Sequence, residues 1–208
     1  TFHVVPRKGE FGYDTWGNNS ADWTGQAGVW TMMSADPELN MVYLPTEDPS
    51  NDFSGVERPG DNLFANSLVA VEAETGKRRW HFQIVHHDVW DYDPPTGPVL
   101  AELNVDGKQI PAAIQVTKQG MVYTFNRVTG EPVWPIEERP VPKSPIPGEH
   151  ASPTQPFPTL PEPFLRLGYS EDDLIDFTPA LRAEAVQAIS KFRIGPIFTP
   201  PVVSRADG

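Results

Sequence analysis

The stretch Leu68-Val-Ala-Val-Glu-Ala-Glu-Thr75-Gly76-Lys-Arg-Arg-Trp80 recurs in outline as Val122-Tyr-Thr-Phe-Asn-Arg-Val-Thr129-Gly130-Glu-Pro-Val-Trp134. Each copy alternates apolar and polar residues, turns at Thr-Gly and closes on Trp. Alternation at period two marks a half-buried strand, and glycine supplies the positive φ that a tight turn needs. Both copies therefore read as β-hairpins. Their glycines stand 130 − 76 = 54 residues apart, a period that fits one four-stranded blade of a β-propeller with a generous loop. Further strands are expected at Asn40–Leu44, Val99–Val105 and Ile110–Val116, the last two flanking an Asp106-Gly107 turn.

At about 50 residues per blade, the chain amounts to about three to four blades, too few to close a ring and protect its edge strands. The expectation is an all-β partial propeller over residues 1–208, cut from a longer protein. Its start, Thr1-Phe-His-Val-Val-Pro6, has neither an initiator Met nor a signal-peptide pattern. Residues 135–192 read as an interruption. Ten prolines between Pro135 and Pro163 predict an extended surface loop rather than strands. Ser170-Glu-Asp-Asp173 has the form of a capping box, and Thr178-Pro179 opens a helix with Leu181, Ala185, Ala188, Ile189 and Phe192 along one face. Ile194–Val203 reads as a return to β structure.

Composition narrows the function. Sixteen glycines and 24 prolines exclude a helical bundle or coiled coil, while eleven Phe and six Trp supply a core. The net charge is −12 and the basic residues are scattered, which sets a nucleic-acid partner aside. No apolar run approaches the roughly 20 residues of a membrane span. The absence of Cys excludes disulfides and thiolate metal sites.

The densest polar cluster, His86-His87-Asp88-Val89-Trp90-Asp91-Tyr92-Asp93, follows the first hairpin. Three readings are open. Its aspartates could simply satisfy loop N–H groups. It could bind zinc, although adjacent histidines on an extended chain point to opposite faces. Or one carboxylate could serve as a general base.

Together with Thr75-Gly76-Lys77, Thr154-Gln155-Pro156-Phe157 and Gly195-Pro196-Ile197-Phe198-Thr199-Pro200-Pro201, this cluster resembles the pyrroloquinoline quinone (PQQ)-dependent dehydrogenases, in particular the membrane-bound glucose and quinate dehydrogenase branch. The resemblance runs from about Trp30 to the end. It implies a segment of an eight-bladed propeller that holds PQQ and a calcium ion near its axis. It implies Asp91 as the base that takes the substrate hydroxyl proton while hydride passes to the quinone. It implies Lys118 as a quinone contact, Trp30 as the ring on which the quinone stacks, and Asp48 as a calcium ligand. That metal position more often carries Asn or Thr in the family, so Thr46 or Glu47 is an alternative ligand. Asp93 matches a position that adds a metal oxygen in lanthanide-using relatives and is read here as a loop carboxylate. The implied substrate is a sugar, polyol or cyclic alcohol, and the implied electron acceptor is membrane ubiquinone. The implied location is the periplasm, attached to the inner membrane through segments absent from this chain. The competing reading is a non-catalytic propeller scaffold or carbohydrate-binding module. Joint retention of Trp30, Asp91 and Lys118 favours the enzyme.

Overall fold

A computed structural model describes residues 1–24 and 26–204. The first sheet has four antiparallel strands in sequence order, β1 (Ser34–Asp36), β2 (Met41–Pro45), β3 (Ser67–Glu72) and β4 (Arg78–Gln83). The second has three, β5 (Val99–Val105), β6 (Lys108–Val116) and β7 (Val122–Asn126). Both expected hairpins form, with Gly76 at φ 71° and Gly130 at φ 80° in their turns. The return arm of the second is not a regular strand. It is held by one bridge, Phe125 to Pro132, and by bonds from Asn126 N to Glu131 O and Val133 N to Thr124 O.

Strand β3 is buried on both faces because its two residue parities serve different neighbours. Leu68 and Ala70 join a cluster with Tyr43, Trp80, Ala113, Tyr123 and Phe125, which seals the two sheets together. Val69 and Val71 face Phe64, with Phe2 and Val4 of the N-terminal segment packed beside it. A strand flanked by protein on both sides reads as a continuous apolar run. Trp80 packs against the next sheet, its ring 5.9 Å from that of Phe125, and its indole N–H donates to Arg127 O at 3.0 Å. The Tyr43 hydroxyl donates to the same carbonyl, also at 3.0 Å.

The proline-rich stretch differs from expectation. It contains a two-stranded antiparallel hairpin, β8 (Ile136–Pro140) and β9 (Thr154–Pro158). Bonds from Thr159 N to Pro135 O and from Val141 N to Pro153 O set the phase of the ladder. Antiparallel pairs alternate between hydrogen-bonded and non-hydrogen-bonded. Pro140, Pro156 and Pro158 therefore fall in non-bonded pairs, where the ladder does not use an N–H. The helical insertion is present as a 3₁₀ turn at Glu171–Asp173 with its capping box, followed by α1 (Pro179–Ile189), where the Thr178 side chain accepts from Leu181 N. The expected apolar face of α1 is not buried. Ile194–Val203 forms no strand, only a bridge from Pro196 to Gly168, because its prolines leave few donors for a ladder. Among the described residues no helix is long and apolar enough to cross a membrane.

Candidate active site

The segments that leave β2, β4 and β6 converge on one acidic cluster. The key local structure is the loop after β4. The buried Asp88 carboxylate accepts from Trp90 N at 2.7 Å, Tyr92 N at 2.8 Å and Asn66 Nδ2 at 2.6 Å. Arg58, also fully buried, donates to Asp88 O and to the Asn62 side chain. Burial pushes the Asp88 carboxyl up to about 6, against the pull of the Trp90 and Tyr92 N–H groups and Arg58. These bonds curl the backbone so tightly that Asp91 adopts φ 60°, a left-handed conformation that Asp tolerates better than most residues.

Lys118, in the turn between β6 and β7, spans the resulting site. Its ammonium donates to Asp91 O, Asp91 Oδ1 and Asp93 Oδ2, each at 2.9 Å. Asp93 Oδ1 in turn accepts from Asp48 N at 2.6 Å. Asp48, Asp91 and Asp93 each offer an oxygen, and these oxygens lie within 4.8 Å of one another. Lys118 Nζ also stands 5.8 Å from the centre of the Trp30 ring, which is 56% exposed. Burial, with Asp93, Asp88 and Asp52 nearby, pushes Asp48 up to about 9. Asp93 is held below the usual carboxylate range because hydrogen bonds from Asp48 and Lys118 outweigh its burial. Burial alone would lower Lys118, but its bonds to Asp91 and Asp93 raise it.

Asp91 and Asp93 against one ammonium already leave excess negative charge, and among the described residues Asp48 Oδ2 is buried without a hydrogen-bond partner. An orphaned hard oxygen beside two others fits a hard cation. The exposed Trp30 face beside a lysine fits a flat, electron-poor ring. The structure thus brings Asp48, Asp91 and Lys118 into one network, with Trp30 at its border. The alternative ligands are engaged elsewhere. The Thr46 hydroxyl donates to Phe64 O and accepts from Ser67 N, and the Glu47 carboxylate accepts from Gly28 N. Asp93, read from sequence as a loop carboxylate, stands inside the trio. The two histidines diverge as adjacent residues should. His86 meets Gln83 and Glu138, whereas His87 meets Gly60 and Glu149. The organising role of Asp88 had only a faint signal, an Asp two residues before a loop N–H. Arg58, thirty positions away, had none.

Fold and cluster together define a propeller segment with an acidic, cation-competent site beside an exposed indole. A family model described as "PQQ: Glucose/ethanol/alcohol dehydrogenase, beta-propeller domain" matches residues 1–206. The chain belongs to this family. It is 37% identical over 194 residues to the glycerol dehydrogenase large subunit of Gluconobacter oxydans (strain 621H), covering 91% of this chain and 26% of that one. It is 39% identical over 132 residues to the quinoprotein glucose dehydrogenase of Escherichia coli (strain K12), covering 63% of this chain and 17% of the relative. Among solved structures, the quinohemoprotein alcohol dehydrogenase of Comamonas testosteroni superposes with a TM-score of 0.57 at 27% identity, over 72% of this chain and 22% of that one. A europium-containing methanol dehydrogenase gives 0.52 at 30% identity, over 59% and 22%. The chain thus spans about a quarter or less of the length of these relatives.

Proposed function

We propose that this chain is part of an eight-bladed, PQQ-dependent dehydrogenase that oxidises a sugar, polyol or cyclic alcohol, with Asp91 as general base. In this reading residues 1–208 supply about three to four blades of the ring, with 135–192 as an insertion upon it. The observation that carries the proposal is the convergence of Asp48, Asp91 and Asp93 under one lysine that also stands over Trp30. A scaffold has no need of that combination.

When bound, the quinone is the two-electron acceptor and the cation polarises it. Asp48 and Asp93 would hold the cation, and the Trp30 face would bind the flat ring with Lys118 alongside. Asp91 Oδ1, already accepting from Lys118, is the atom placed to take the substrate hydroxyl proton. Its left-handed backbone and its bond from Lys118 together hold it in place. Relatives named for glycerol, glucose and quinate support a polyhydroxylated substrate. The proposed cation is calcium. The third carboxylate, Asp93, favours a second reading with a more highly charged lanthanide, and the europium-containing relative supports it. In the same reading the working protein acts in the periplasm, tied to the inner membrane, and passes electrons to ubiquinone through parts outside this chain.

The test is dye reduction by the parent protein stripped of cofactor, with PQQ supplied alone, with calcium and with lanthanum, on glucose, glycerol and quinate. Turnover only with quinone and metal together is expected. No turnover, with no quinone-induced quenching of Trp fluorescence, would leave a propeller without the chemistry. Asp91→Asn, which also tolerates left-handed φ, should lower turnover about 10²–10⁴-fold and leave quinone affinity unchanged. Equal loss of affinity would make Asp91 structural. Trp30→Ala should weaken quinone retention first.

A further inference from the structure

Residues 141–153 join β8 to β9 as a strap, and one carboxylate clips it to the loop after β4. Glu149 and His87 are buried together, each side chain 1% exposed, with Oε1 and Nε2 2.6 Å apart. His87 Nδ1 faces Gly60 O at 2.7 Å. A carbonyl and a carboxylate can only accept, so each ring nitrogen donates, Nδ1 to Gly60 O and Nε2 to the Glu149 carboxylate. The other Glu149 oxygen accepts from Gly55 N at 2.7 Å. Gly55 has to be glycine here, since a Cβ on it would collide with the His87 ring. Burial would raise the Glu149 carboxyl, but its bonds from His87 and Gly55 hold it below the usual range.

A buried ion pair is an inefficient source of stability, but it fixes direction. What it fixes here is the start of the catalytic loop. His87 has a left-handed backbone, φ 47°. The next residue is Asp88, whose carboxylate holds Trp90 N and Tyr92 N on either side of Asp91. We infer that Glu149 is a positioning residue for Asp91: by anchoring the His87 ring it sets the backbone from which the base is aimed. The inference rests on the reading of Asp91 as base.

The experiment uses the parent holoprotein with Glu149→Ala, Glu149→Gln and Asp91→Asn. The glutamine can keep both contacts, accepting from Gly55 N and donating to the free nitrogen of an Nδ1-protonated imidazole. Glu149→Ala should lower kcat about 10–100-fold, the scale of a small misplacement of a catalytic group, with KM and quinone affinity unchanged. Its primary deuterium isotope effect should rise, and trypsin should cut faster after Lys143 in the freed strap. Glu149→Gln should restore all three readouts. Wild-type kcat in the alanine variant, equal damage from glutamine, or a loss confined to KM or quinone affinity would overturn the inference. If alanine prevents folding, Glu149→Asp, which withdraws the charge by one methylene, carries the same expectations. Asp91→Asn separates the two claims. If it retains turnover, the base reading fails and positioning fails with it. If it is inactive while Glu149→Ala is normal, positioning alone fails.

Discussion

His81 on β4 stands edge-on to Phe64, ring centres 4.9 Å apart, and its Nδ1 lies 3.0 Å from the Arg78 guanidinium. Burial first, then the Arg78 charge, pushes its pKa from 6.5 down to about 4. The folded state therefore refuses a proton that the unfolded chain takes. The contribution is fully present above pH 6.5 and is lost as pH falls toward 4. Thermal unfolding of wild type should drop across that window, and His81→Gln should flatten the drop; parallel curves would refute the assignment. At this scale the site was half legible. Asp91, Lys118, Trp30 and Asp48 could be picked out because motif order marks them. Asp88 could be read only as one of several aspartates free to satisfy nearby loop N–H groups, and Arg58 and Glu149 not at all, because their partners Asp88 and His87 lie 30 and 62 residues away and nothing local announces a buried bond.

The turn of the second hairpin receives the Trp of the first. A Cβ built on Gly130 would lie 2.6 Å from the Trp80 ring, and the positive φ there disfavours any side chain. Gly130→Ala should cost about 1–3 kcal/mol by overpacking, and Trp80→Ala about 3–5 kcal/mol by cavity formation. Denaturant unfolding would measure both, and a neutral Gly130→Ala would mean the two sheets do not depend on this contact. The repeated Thr-Gly and Trp were thus legible as hairpins, and Trp80 against Gly130 also docks one sheet on the next. Strand β1 was not read, being three residues with no apolar alternation. Strands β8 and β9 were hidden because proline counts against a strand unless its place in the ladder is known.

Across the whole chain the core is lopsided. Tyr43, Trp80 and Phe125 are buried between the sheets, while Phe177 and Phe192, which flank α1 in the chain, are 83% and 69% exposed. Two aromatics this exposed beside one helix offer apolar surface that other protein can cover. The 208-residue chain alone should self-associate with concentration in sedimentation experiments, and Phe177→Ser with Phe192→Ser should suppress it. Association unchanged by that pair would place the sticky surface elsewhere. It should not be the β9 edge. Of the three β9 residues whose backbone nitrogens face away from β8, Thr154, Pro156 and Pro158, two have no hydrogen to give. The same rings that interrupt nothing within the hairpin thus leave its outer border little to offer a stray strand or a growing fibril, and the Pro156 carbonyl on that border is already taken by the Tyr123 hydroxyl at 2.8 Å.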